Sequence, residues 1–136
     1  MSNDNESVSL ILYVDRSTIR PGQAVALESA AQALAQTVRA GPSRAFWYAI
    51  HFSEDRSTMT VTHLHPDSDS LEDLMDLIAP KLAPFRDLLE LQAIDVYGEP
   101  AAAVVDKLMQ KTRLLGGTIR VHRRVADVTA MADEAE

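Results

Sequence analysis

The segment Arg44 to Phe52 reads as a strand that is apolar on both faces. Phe46, Tyr48, Ile50 and Phe52 alternate with Ala45, Trp47, Ala49 and His51, and side chains two apart share a face of a strand. A strand buried on both sides demands a sheet with two covers. Helices of the same chain can supply one cover, and a second subunit can supply the other. Thr58 to His65 follows after Ser53-Glu54-Asp55-Arg56-Ser57, so the two strands are expected to form a β-hairpin.

Around this hairpin the chain alternates strand and helix patterns. Val8 to Asp15 is predicted as a strand, with Val8, Leu10, Leu12 and Val14 on one face and Ser9, Ile11, Tyr13 and Asp15 on the other. Ile19-Arg20-Pro21-Gly22 marks a turn. Gln23 to Ala40 is predicted as a helix whose stripe is Leu27, Ala31, Leu34 and Val38, stopped by Gly41-Pro42. The next helix is expected to be capped by Asp69 or Ser70, with Glu72 or Asp73 answering three residues on. Its apolar face is Leu71, Leu74, Met75 and Ile78, and it should end near Ala79, with a short helix over Pro84 to Leu88. Leu89 to Tyr97 is the fourth strand, Ala101 to Leu115 the third helix, and Thr118 to Val125 the fifth strand.

That order is β-α-β-β-α-β with an appended α-β. It predicts an α+β, ferredoxin-like domain over residues 8–128, with its core at 8–98 and the appended helix and strand at 101–125. Residues 1–7 and the acidic stretch 129–136 are expected to be disordered tails. With 136 residues and no cysteine, the chain is long enough for one core without disulfides, and thiolate chemistry is excluded.

Charge narrows the partners. The net charge is −7, which argues against nucleic acid, since phosphates demand a basic face. Asp106 to Arg124 carries +5, so the rest carries −12. Arg120, Arg123 and Arg124 are expected to pair with acidic helix surface such as Glu72, Asp73 or Asp76, an anionic ligand being the alternative. Met1 to Ser7 lacks the basic start and apolar run of a signal peptide, and no stretch approaches the roughly 18–20 apolar residues of a membrane span. A cytoplasmic protein without membrane contact is the expectation.

The candidate chemistry lies where the hairpin ends, in His63-Leu64-His65-Pro66-Asp67. His63 and His65 share a strand face. Three roles fit them. Two imidazoles at this spacing can hold a metal if His51 or Asp95 adds a ligand, and the hairpin turn leaves that register open. One histidine can instead be a general base facing an apolar pocket, with Trp47, Tyr48, His51 or Tyr97 against a planar substrate. The plainest role is structural, with His65 hydrogen-bonded to Asp67 or backbone at the entrance to the helix. Asp95, a lone carboxylate in an apolar strand, needs a partner or a raised pKa if buried, and is a further catalytic candidate. No phosphate loop, nucleophile elbow or His-Glu-x-x-His pattern is present.

From Val8 to Tyr97 the chain resembles the dimeric α/β-barrel superfamily, and within it the antibiotic-biosynthesis-monooxygenase-like group. The resemblance rests on Arg20-Pro21-Gly22-Gln23, on the hairpin containing Tyr48, on His65-Pro66-Asp67 ahead of Ser70-Leu71-Glu72, and on Ile94-Asp95-Val96-Tyr97-Gly98. It implies a homodimer in which two sheets pack face to face. Activities in that superfamily include cofactor-independent oxygenation of polyphenols, haem degradation and isomerisation. The haem-degrading members use a histidine on a helix with an asparagine and a tryptophan. This chain has Trp47, but no histidine on a predicted helix and only Asn3 and Asn5 as asparagines. What remains is a small-molecule-binding protein, read as an oxygenase-like enzyme that needs no cofactor and acts on an apolar or aromatic compound, with His63, His65 and Asp95 as catalytic candidates. A non-catalytic homodimeric interaction or stress-associated module is the alternative, and a histidine-based metal-binding protein is a third.

Overall fold

In the computed structural model, which describes residues 9–128, strand β1 (Ile11–Ile19) leads into helix α1 (Ala24–Ala40). The hairpin strands β2 (Trp47–Phe52) and β3 (Thr58–His65) follow, then helix α2 (Ser68–Ile78) and two 3-10 turns at Ala79–Lys81 and Ala83–Asp87. Strand β4 (Leu89–Tyr97), helix α3 (Ala102–Leu115) and strand β5 (Thr118–His122) complete the domain. The predicted tails, 1–7 and 129–136, lie outside the described residues.

The sheet order is β2-β3-β1-β4-β5. Neighbouring strands among the first four run antiparallel, in the ferredoxin-like arrangement, and β5 joins parallel to β4. Ile11, Tyr13 and Ile19, with Met59, Val61, Leu89, Leu91, Ile94 and Val96, are buried on the face that the helices cover. Leu27, Leu34, Leu71, Leu74, Val104 and Leu108 meet them from the helix stripes. This single core is where the apolar area leaves water.

β1 begins later than predicted and runs on to Ile19, because Ser17 and Ile19 continue the inward alternation and pair with Leu91 and Leu89. β2 starts at Trp47 rather than Arg44, since Arg44 turns away to bridge Asp67. β5 ends at His122, short of Val125.

Two local features decide where the polar groups go. The register of β1 against β4 skips Gln92, with Arg16 opposite Ala93 and Ser17 opposite Leu91. This bulge inverts the alternation of β4, so Leu91 and Ile94 both point inward while Asp95 and Tyr97 point outward. Gly117 backs onto it: a Cβ there would lie 2.8 Å from the Gln92 carbonyl, and its φ is +82°. The second feature is the cap of α2. Asp67, not Asp69 or Ser70, is the N-cap residue, and its Oδ1 accepts from Ser70 N at 2.8 Å. The Ser70 hydroxyl is thereby left for another partner.

The second sheet face has no cover among the described residues. Trp47 is 52% exposed and Tyr97 42% exposed there, while Leu12, Val14 and Leu64 are half-buried. β2 is an edge strand, so the expectation of burial on both faces is not met inside one subunit. Its inward row, Tyr48, Ile50 and Phe52, packs on the core, and its outward row is open.

Candidate active site beneath the helices

Buried polar residues gather on the helix-covered face. Tyr13, His63 and Tyr48 are opposite one another on β1, β3 and β2, and their rings stack. The His63 ring is 4.0 Å from Tyr13 and 5.2 Å from Tyr48, with interplanar angles of 14° and 17°. His63 Nδ1 is 2.7 Å from His65 Nε2, and His65 Nδ1 is 2.7 Å from Ser70 Oγ. Ser70 can reach His65 because Asp67 has taken the capping role.

Burial holds both imidazoles neutral. It pushes the His63 pKa well below the ordinary histidine value, with His65 and then Lys111 adding to the effect. His65 is lowered to about 4, mainly by burial, which outweighs the opposing charge of Asp67. In the tautomer where His63 donates from Nδ1 to His65 Nε2, and His65 donates from Nδ1 to Ser70, the His63 Nε2 lone pair is free. Among the described residues it has no hydrogen-bond partner.

Beside Tyr13 lies a buried ion pair. Lys111 Nζ donates to Asp15 Oδ2 at 3.0 Å and to the Tyr13 hydroxyl at 2.7 Å, and Tyr13 in turn donates to Asp15 Oδ2. Burial first, and then the Asp15 charge, raise the Tyr13 pKa, so its proton stays on. Tyr48 is raised for the same two reasons.

Asp15, Ser17, Tyr48, His63 and Lys111 border a cavity of about 30 Å³ whose remaining walls are apolar, among them Leu34, Val61, Phe85 and Leu91. Polar groups converging on an apolar pocket are one element of a small-molecule site, but such sites are about ten times larger. This cavity has room for one or two waters.

The outward face carries a separate cluster. Arg120 grips Asp95 with two bonds, Nε to Oδ1 at 2.8 Å and Nη2 to Oδ2 at 3.0 Å, and His122 Nε2 lies 2.8 Å from Oδ1. The bond from Arg120 is the main reason the Asp95 carboxyl lies below the usual carboxylate range. Tyr97 stacks on His122 at 4.4 Å.

By structure the chain is similar to MupZ from Pseudomonas fluorescens, with a TM-score of 0.68 at 12% sequence identity, over 88% of this chain and 93% of that one. SnoaB from Streptomyces nogalater, a cofactor-independent oxygenase, matches with a TM-score of 0.57 at 14% identity, over 70% of this chain and 97% of its own. A Caulobacter crescentus protein described as a candidate antibiotic biosynthesis monooxygenase matches with a TM-score of 0.57 at 18% identity, over 70% and 92% of the two chains. The chain has the ferredoxin-like fold of the antibiotic-biosynthesis-monooxygenase-like proteins. No protein-family model and no curated protein sequence matches it.

On this ferredoxin-like fold the predicted site residues divide between two faces. His63, His65 and Tyr48 come together under the helices. Trp47, His51, Asp95 and Tyr97 lie on the opposite face, where Trp47 and Tyr97 are exposed. The metal set of His63 and His65 with His51 or Asp95 is therefore broken by register: His51 pairs with Thr60, out of step with Tyr48 and His63, and the β4 bulge turns Asp95 outward. Among the described residues no group of three or more His, Asp or Glu side chains is placed to hold a metal ion. His65 bonds to Ser70 and His63 rather than to Asp67 or backbone.

The arginine pairings also differ from expectation. Arg120 holds Asp95 and Arg124 reaches Asp127 at 3.5 Å, whereas Glu72 and Asp76 are taken by Lys107. Four members of the inner cluster were missed: Tyr13, Asp15, Ser70 and Lys111. Lys111 had a signal, because it occupies a core position in the α3 stripe of Val104, Leu108, Lys111 and Leu115. No helix among the described residues is long and apolar enough to cross a membrane.

Proposed function

We propose that the chain is a small-molecule enzyme working by acid–base chemistry at the inner cavity, with His63 as the base. The observation that carries this reading is the state of His63. Its ring is buried and neutral, anchored at Nδ1 through His65 to Ser70; His63 lines a mostly apolar cavity, and its Nε2 has no hydrogen-bond partner among the described residues. A neutral imidazole can take a proton from an acidic O–H or C–H of an apolar or aromatic compound, and because burial weakens it as a base, the transfer depends on stabilising the anion formed beside it. The Lys111 ammonium, on the wall of the same cavity, stands by to stabilise the anion formed. Similarity to SnoaB, described as a cofactor-independent oxygenase, supports an oxygenase-like version in which that anion supplies the electrons to dioxygen and the protein needs no cofactor. Trp47, His51, Asp95 and Tyr97 lie outside this site, and the proposal leaves them no part in proton transfer.

A panel of phenolic and polycyclic aromatic compounds, screened by thermal shift and then by oxygen uptake, tests this. Ligands that bind should raise the melting temperature. His63→Gln should keep binding while turnover falls by about 10²–10⁴-fold. Equal turnover in wild type and variant would remove His63 from the mechanism.

A second copy of the chain is the proposed partner for the open sheet face. Leu12, Leu64 and Trp47 form one apolar row across β1, β3 and β2, on the face left uncovered by the described residues. A dimer whose cavity binds no compound in the screen would favour the non-catalytic interaction module.

A further inference from the structure

The inner cavity, at about 30 Å³, cannot take an organic ligand as it stands. Next to it, between α2 and α3, lies an outer groove of about 360 Å³. The two spaces share two residues, Leu82 and Lys111. We propose that they are two compartments of one binding site for a planar aromatic compound bearing a hydroxyl or carbonyl group, divided in this state by Leu82 and Lys111. This rests on the acid–base reading of the cavity given above.

Of the two dividing residues, Leu82 is the one suited to moving. Leu82 lies between the two 3-10 turns, flanked by Pro80 and Pro84, outside any α-helix. Its backbone N–H makes a long 3.3 Å bond to Ala79 O and its carbonyl accepts from Phe85 N at 2.9 Å, so a turn of the Leu82 side chain leaves the α-helical ladders intact. Lys111 stays on Asp15 and Tyr13, with its ammonium at the boundary between the two spaces. When Leu82 turns aside, the cavity that holds Asp15 and His63 opens onto the groove. A ring bearing the polar group would lie inside, and the rest of the molecule would cover Met75, Ala79 and Leu114. Gln110 and Lys107 offer hydrogen bonds at the rim, where Lys107 is fixed by Glu72 and Asp76.

The groove on the other side of the domain, between α1 and β2, is a poorer way in. It shares only Tyr48 with the cavity, and that ring is held in the stack with His63.

The test is an NMR titration of the full chain with 2-naphthol, following the His63 ring and the Gln110 side-chain amide. Both signals should shift with one common Kd in the wild type. Leu82→Ala removes the partition and should tighten binding by about tenfold, because less of the affinity is spent on reaching the open state. Ala79→Trp, at an exposed position on the groove, should weaken the response of both signals, and it decides the matter if Leu82→Ala does not fold. A His63 response unchanged in both variants overturns the shared site and leaves the acid–base reading intact. A His63 ring that never responds, even with Leu82→Ala, overturns both.

Discussion

Lys111 Nζ lies 3.0 Å from Asp15 Oδ2, joining the last helix to the first strand across 96 residues of sequence, and both side chains are more than nine-tenths buried. A pair this deep costs desolvation on both sides, and breaking it leaves one charge stranded. Lys111→Met should therefore destabilise the domain by about 3–5 kcal/mol, read from urea unfolding at neutral pH. Lys111→Met with Asp15→Leu should recover much of that loss. A single variant within about 1 kcal/mol of wild type would mean that the pair is not buried in solution.

The two inner histidines make stability depend on pH in a defined direction. Their folded pKa values lie below the unfolded value of 6.5, with His65 at about 4. Between these limits the unfolded chain binds more protons, so stability falls as pH drops from about 6.5 towards 4. For His65 alone the loss amounts to about 3 kcal/mol. Unfolding free energies measured across this range should show the slope, and His65→Gln should reduce it. An equally steep slope in that variant would place the linkage elsewhere.

Much of the fold was legible because hydrophobic periodicity is a direct record of burial. The stripe of α1, the two rows of β2 and the strand–helix order led to the ferredoxin-like plan without any structure. The site was legible only in part, because it depends on register. That His63 and His65 share a face follows from their spacing alone. Whether His51 or Asp95 joins them depends on the hairpin pairing and on one extra residue, Gln92, in β4, and neither is written in local composition. In the sequence Ser70 reads as a cap because Ser, Asp and Asn are interchangeable there by propensity. Only the structure shows Asp67 taking that role and freeing Ser70 for His65. Lys111 was visible as a charge in an apolar stripe, but its partner Asp15 sat at the end of a strand that was cut short.

Asp95 should act as a structural clamp on the added strand. Its carboxylate joins β4 to β5 through Arg120 and His122, and these bonds favour the charged form. Asp95→Asn should lower stability by about 1–2 kcal/mol, with faster hydrogen exchange confined to Thr118–His122. Because the folded pKa is depressed, the stabilisation is present at neutral pH and is lost as pH falls through the folded value. Turnover of any substrate found for the inner cavity should be unaffected. A catalytic loss without a stability loss would instead return Asp95 to the reaction.

The apolar row on the open face sets the last prediction. Leu64 sits between Leu12 and Trp47 in register, at the middle of the surface assigned to a second copy of the chain. Light scattering of the wild type at micromolar concentration should give twice the chain mass of 14.9 kDa. Leu64→Arg places an unpaired charge in that contact, where like charges from the two copies would face each other, and should give the single-chain mass with the far-ultraviolet circular dichroism of the wild type. Trp47→Glu should do the same from the edge strand without touching the core, because Trp47 is already half exposed in one subunit. If both variants keep the wild-type mass, the chains associate through another surface. A wild type already at 14.9 kDa would mean that the open face stays in water.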